Sequence, residues 1–157
     1  MARHQAIILK KMPLREHDEL VMCYTKDFGK QRYVAKSSTL ATSKQGSHLD
    51  VLNHVEFNLI EGKHHPIIAS AQVVNTFPSI KASLPAMANA FFILECFDKL
   101  VFENERDAKL WEFLQSGVYD RATFMEIMGY HHLTQLADLS TAYFTSLQFL
   151  ATIERNG

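Results

Sequence analysis

The hydrophobic period of this chain changes once, at Pro78, and that change constrains the fold more than any other feature. Before Pro78, apolar residues recur at every second position in short runs. After it they recur at every third or fourth, so strands give way to helices. The clearest strand signal is Val51 to Leu59. Val51, Asn53, Val55, Phe57 and Leu59 fall on one face, and His54, Glu56 and Asn58 on the other, the pattern of a strand with one wet face. Gln5 to Lys11 is β-branched and apolar and stops at Pro13; Leu20 to Thr25 follows, then a turn over Lys26 to Gly29. Lys30 to Ser37 alternates, with Arg32, Val34 and Lys36 on one face and Tyr33 and Ala35 on the other. Ser37 to Gly46 is small and polar and reads as a loop. A fifth strand runs from Ile67 to Phe77, with Ile67, Ala69, Ala71, Val73 and Phe77 in phase. Short strands separated by turns, with no helical period among them, predict a small closed β-barrel.

Beyond Pro78, Leu84, Met87, Phe91, Leu94 and Val101 recur at helical spacing. Phe92, Phe97 and Leu100 widen the stripe until the helix is apolar nearly all round, which predicts burial on several sides. Phe91, Phe97 and Trp111 are expected in its core. Asn104 with Asp107 resembles an N-cap pair, and Gly117 is a plausible stop for the next helix. Asp120 and Gly129 frame a shorter helix, and Leu133, Leu136, Tyr143, Leu147 and Leu150 mark a last one. The fold class is α+β: a β-barrel domain over residues 1–79 and a helical domain over 80–157.

Composition narrows the class. The chain has 157 residues, 47% hydrophobic and 21% charged, the profile of a globular domain that needs neither disulfides nor metal to hold a core. Cys23 and Cys96 have no metal-site spacing and suggest a reducing, cytoplasmic setting. No segment is apolar enough to span a membrane. The net charge of −1 conceals an asymmetry. Residues 1–48 hold nine Lys/Arg against four acids, a net of +5, whereas residues 81–157 hold six against ten, a net of −4. Two surfaces with different partners are implied.

Catalytic chemistry is thinly represented, and the expectation is that the protein is not an enzyme. The pairs His64-His65 and His131-His132 invite a metal reading, but adjacent side chains on a strand point to opposite faces. His17-Asp18 has no nucleophile in a recognisable elbow, and no glycine-rich phosphate loop is present. No cofactor and no metal are expected. The informative constellation is cationic: Lys30, Arg32, Lys36 and Lys44 around Tyr33, with Lys10, Lys11 and Arg15 in second rank. Small barrels bind nucleic acid by tracking phosphates with cations and stacking bases on exposed rings. Tyr33 either stacks a base or, because it alternates with the cations, faces the core.

Five segments in order carry a family resemblance: Gln5 to Leu20 (QAIILKKMPLREHDEL), Phe28 to Lys36 (FGKQRYVAK), His48 to Glu56 (HLDVLNHVE), Gln72 to Phe77 (QVVNTF) and Phe92 to Val101 (FILECFDKLV). Together they resemble the bacterial recombination mediator family RecO over roughly residues 5–115. The resemblance implies an OB-fold N-terminal domain, a helical domain and no turnover. It also implies binding and annealing of single- and double-stranded DNA, and help in loading RecA. The implied partners are a RecR-like protein and the C-terminal tail of single-stranded DNA-binding protein, and the implied setting is the bacterial nucleoid. Three features depart from that family. Met128-Gly129-Tyr130 is followed by histidines where many members carry a four-cysteine zinc module, so zinc is not implied. The chain is short, and Thr145 to Leu150 resembles the family's final helix. The loop Ser37 to Ser43 lacks Lys and Arg. Two further readings stand beside this one: a protein-interaction adaptor of the same pathway with weak or lost DNA binding, and a small hydrolase using His17 or the histidine pairs.

Overall fold

The computed structural model describes residues 2–131. Five strands, β1 (His4–Pro13), β2 (Glu19–Thr25), β3 (Gly29–Ala35), β4 (His54–Ile60) and β5 (Ile67–Asn75), close in the order β1-β2-β3-β5-β4. All pairings are antiparallel except β3 with β5, which is parallel and rests on the single register pair Val34–Ile67. A five-stranded barrel of this order is the OB fold, as expected.

Side-chain alternation fills the barrel. Ala6 and Ile8 of β1, Val21 and Cys23 of β2, Tyr33 and Ala35 of β3, and Val55 and Phe57 of β4 form one core with Leu49 and Ile68. The faces read for β3 and β4 are therefore those observed. On β5 the phase differs: Ile68 points inward while Ala69 is exposed. The cause is a bulge, since Leu59 faces Ile68 but Asn58 faces Ser70. An extra residue inverts the alternation beyond it.

The segment expected as pure loop holds a short helix, α1 (Lys44–His48), capped by the Ser43 hydroxyl, which accepts from the Gly46 N–H at 3.2 Å. Gly46 is required here, because a Cβ would collide with the Ser38 carbonyl. Asn53, buried one residue before β4, donates to the His48 carbonyl at 3.1 Å.

Residues 2–76 together with 103–107 form one compact unit, and residues 77–102 with 108–131 another. The second holds α2 (Pro78–Lys81), α3 (Leu84–Leu100), α4 (Ala108–Ser116) and α5 (Arg121–His131). Phe97 sits at its centre, 5.7 Å from Phe124 and stacked at 6.4 Å on Phe113. Gly117, with φ of +68°, ends α4 and admits the Phe77 ring where a Cβ would stand. Asp120 caps α5 by accepting from the Thr123 N–H and hydroxyl at 2.9 and 2.7 Å; the hydroxyl bond, with the N–H bond, holds its carboxyl below the usual range.

Two helical expectations are corrected. Phe91 is 43% exposed, as the buried stripe of α3 runs through Ala90, Ile93, Leu94, Phe97 and Leu100 instead. Asn104 does not cap α4; it adopts φ of +66° and pairs with the barrel. The last helix, expected over Leu133 to Leu150, lies outside the described residues.

Phe97→Ala should cost about 3–5 kcal/mol in denaturant unfolding, the range for a buried aromatic. Phe91→Ala should cost less than about 1 kcal/mol, as most exposed substitutions do. Equal costs at the two positions would show that the helical core is placed wrongly.

Candidate nucleic-acid interface

Arg15, Lys36, Lys63, His64 and His65 line one groove of about 290 Å³ on the barrel unit, over an apolar floor of Leu14, Val34 and Ile67. Its walls come from the β1–β2 connection, the end of β3 and the β4–β5 connection. The floor contains the parallel closure itself, for Val34 pairs with Ile67 and its N–H donates to the Pro66 carbonyl at 2.9 Å. Ile67 reaches the groove because the β5 bulge leaves Ile68 to the core. Asp18 shapes the first wall. One of its carboxylate oxygens accepts from the Ser37 N–H at 2.8 Å and the other lies 3.9 Å from Arg15 Nε. Lys36 and Lys63 are exposed and have no ion-pair partner among the described residues. Cations around an apolar floor suit a phosphodiester carrying a flat base: charge for the phosphate, apolar surface for the ring.

The sequence-predicted residues divide. Arg15 and Lys36 meet in the groove, joined by Lys63, His64 and His65, which the charge reading passed over. Their signal was present in the run Lys63-His64-His65, yet the histidines invited a metal reading. Lys10 and Lys44 are exposed on β1 and α1. Lys11 is turned to structural work, with Nζ 3.7 Å from Glu19, 3.4 Å from Asp50 and 3.3 Å from the Gly46 carbonyl. Tyr33 is 3% exposed and packs on Phe57 at 5.5 Å, so its ring belongs to the core and offers no face to a base. Burial pushes its phenol well above the usual value. Lys30 is buried and Arg32 is ion-paired with Glu103, because residues 103–107 lie along this part of β3.

Among the described residues no three His, Cys, Asp or Glu side chains come together to hold a metal ion. Cys23 and Cys96 are both buried and lie in different units, a donor set that does not fit a four-cysteine zinc module. Burial pushes the Cys23 thiol up strongly, away from nucleophilic use. His132 lies outside the described residues. No helix among the described residues is long and apolar enough to cross a membrane.

The barrel and its strand order define an OB-fold domain, with a cationic groove over its closure. Residues 1–77 match the family described as Recombination protein O N terminal. The DNA repair protein RecO of Desulforamulus reducens is 30% identical over 114 residues, 73% of this chain and 44% of the relative. That of a Nocardioides species is 33% identical over 113 residues, 71% and 46%. That of Dehalococcoides mccartyi is 29% identical over 140 residues, 89% and 51%. This chain is a RecO-like protein. It spans about half the length of the curated relatives it matches.

One histidine has a definite structural role. His54 is buried, its Nε2–H donating to Gln5 Oε1 at 3.0 Å, and burial, with the Lys26 charge, lowers its pKa. The folded protein therefore holds it neutral, while the unfolded chain takes up a proton below about pH 6.5. Its contribution to stability is present above that pH and is lost as the pH falls through the lower folded value. Urea midpoints should fall between pH 7.5 and 5, and His54→Gln should reduce that fall. An identical fall in the variant would place the pH dependence elsewhere.

Proposed function

We propose that this protein is a recombination mediator in bacterial DNA repair, acting by binding rather than by turnover. The observation that carries the proposal is the groove of Arg15, Lys36, Lys63, His64 and His65 over Leu14, Val34 and Ile67. In this reading, groove cations neutralise phosphates of single- or double-stranded DNA. The apolar floor takes a splayed base, and strands held this way are annealed or handed over for RecA loading. A RecR-like protein and the C-terminal tail of single-stranded DNA-binding protein are the proposed protein partners, in the cytoplasm at the nucleoid. The resemblance to DNA repair proteins named RecO supports the reading.

A second reading is favoured by the burial of Lys30 and the pairing of Arg32 with Glu103. With those cations engaged, the chain would act chiefly as a protein adaptor of the same pathway. DNA binding that is absent or insensitive to salt, with partner binding retained, would select it.

Phosphate contacts release counterions, at a log–log salt slope of about −0.7 per neutralised phosphate on single strands. Replacing Arg15, Lys36 and Lys63 together with alanine should flatten the slope by about 2, if each touches one phosphate. The loss should be equal on unrelated sequences, because phosphates carry no base information. Fluorescence anisotropy on a labelled oligonucleotide across a salt series measures both. A folded triple variant with an unchanged slope would move the site off the groove.

A further inference from the structure

The segment Glu103 to Asp107, between α3 and α4, belongs to the barrel unit and is docked there by backbone and side chain alike. The β3–β5 pairing is confined to Val34–Ile67, so the first half of β3 has no strand partner on that side. Residues 103–104 take the place of one. Glu103 forms a parallel bridge with Lys30, and the Asn104 N–H donates to the Lys30 carbonyl at 3.0 Å. The Gln31 amide donates to the Asn104 side chain at 2.8 Å. Further along, the buried Tyr24 hydroxyl accepts from the Asp107 N–H at 3.0 Å and reaches the Glu105 carbonyl at 3.3 Å. Burial pushes its phenol up to about 12. Gly29, with φ of +69°, leaves room for the Glu105 carbonyl where a Cβ would collide with it.

Covering a bare strand edge needs only backbone. This segment also carries three acids and one arginine, and it lays them along a basic strand. Glu103 is ion-paired with Arg32, on the same outward face of β3 as the groove residue Lys36.

We propose that residues 103–107 form an internal competitor for nucleic acid, in which the Glu103 carboxylate occupies the position a backbone phosphate would take on Arg32. The inference rests on the DNA-binding reading above and adds its regulation. The pair is an exchangeable one: the two side chains are 44% and 40% exposed, and ion pairs this exposed are weak. The backbone anchors at Tyr24, Gly29 and Lys30 do not involve the carboxylate. Neutralising Glu103 therefore releases Arg32 without undocking the segment. While the carboxylate holds Arg32, a phosphate reaching this part of β3 from the groove finds no free cation there, and the affinity of the barrel for short or singly held strands is lower by that one contact.

The test is a double-mutant cycle on the full chain, read by anisotropy on a labelled single-stranded oligonucleotide across salt, with thermal melts by circular dichroism. Glu103→Gln should steepen the salt slope by about 0.7 and bind about fivefold more tightly at the low end of a tenfold salt range, the effect of one added phosphate contact. Arg32→Ala should leave the affinity of the parent unchanged and should abolish the gain in the Glu103→Gln background. Glu103→Ala serves as a second variant read in the same way. A Glu103→Gln protein that binds like the parent, while Lys36→Ala still weakens the parent, would overturn the competitor and leave the DNA reading standing. Arg32→Ala weakening the parent as much as the variant would also overturn it, since Arg32 would already be on a phosphate. Absence of binding by every form at low salt would overturn both.

Discussion

The barrel closes between β3 and β5 through one parallel residue pair, Val34 with Ile67, reinforced by the Val34 N–H to the Pro66 carbonyl. A closure this short has two consequences. At its own position the ends of β3 and β5 come together with the β1–β2 and β4–β5 connections, and the groove forms over the two apolar side chains. Away from it, the first half of β3 lacks a neighbouring strand, and an unpaired edge inside a folded domain has backbone groups to satisfy. Residues 103–107 satisfy them, although they are contributed by chain that has already passed through α3.

The outward cations of β3 are divided by the same closure. Lys36, beyond the pair, stands in the groove with Arg15 and Lys63. Lys30 and Arg32, before it, lie under or against an acidic segment. One strand thus carries an open electrostatic surface and a neutralised one, and the boundary between them is a hydrogen-bonding boundary. The whole-chain charge of −1 conceals this, because the charges that cancel on β3 are neighbours in space and distant in sequence.

Much of the architecture was legible because it is local. The alternation in β3 and β4 reports which face turns into the barrel, and Tyr33, Ala35, Val55 and Phe57 lie inward as that alternation requires. Period-2 and period-3.6 patterns separate on either side of Pro78, and the glycine after α4 adopts the left-handed conformation that stops a helix. The errors have physical causes as well. On β5 a bulge opposite Asn58 and Leu59 inverts the phase, and bulges leave no mark in hydrophobic periodicity. On α3 nearly every turn is apolar all round, so periodicity could not choose between Phe91 and its neighbours; packing against Phe113 and Phe124 chose Phe97. Asn104 looked like a helix cap because Asp107 follows three residues later, but its partner is the Lys30 carbonyl.

What the amino-acid sequence determined by itself is the five strands and the three longer helices of the described residues, the inward faces of β3 and β4, the basic character of the first third and the resemblance to RecO proteins. Each is a property of residues close together in the chain, where backbone geometry alone decides which side chains share a face. The tertiary structure decided which cations act together. Lys36 joins Arg15, Lys63, His64 and His65 because three connections converge on one closure, and Arg32 meets Glu103 because a bare strand edge recruits a distant segment. Those pairings depend on strand register and on unpaired hydrogen-bonding groups, quantities that exist only once the barrel has closed.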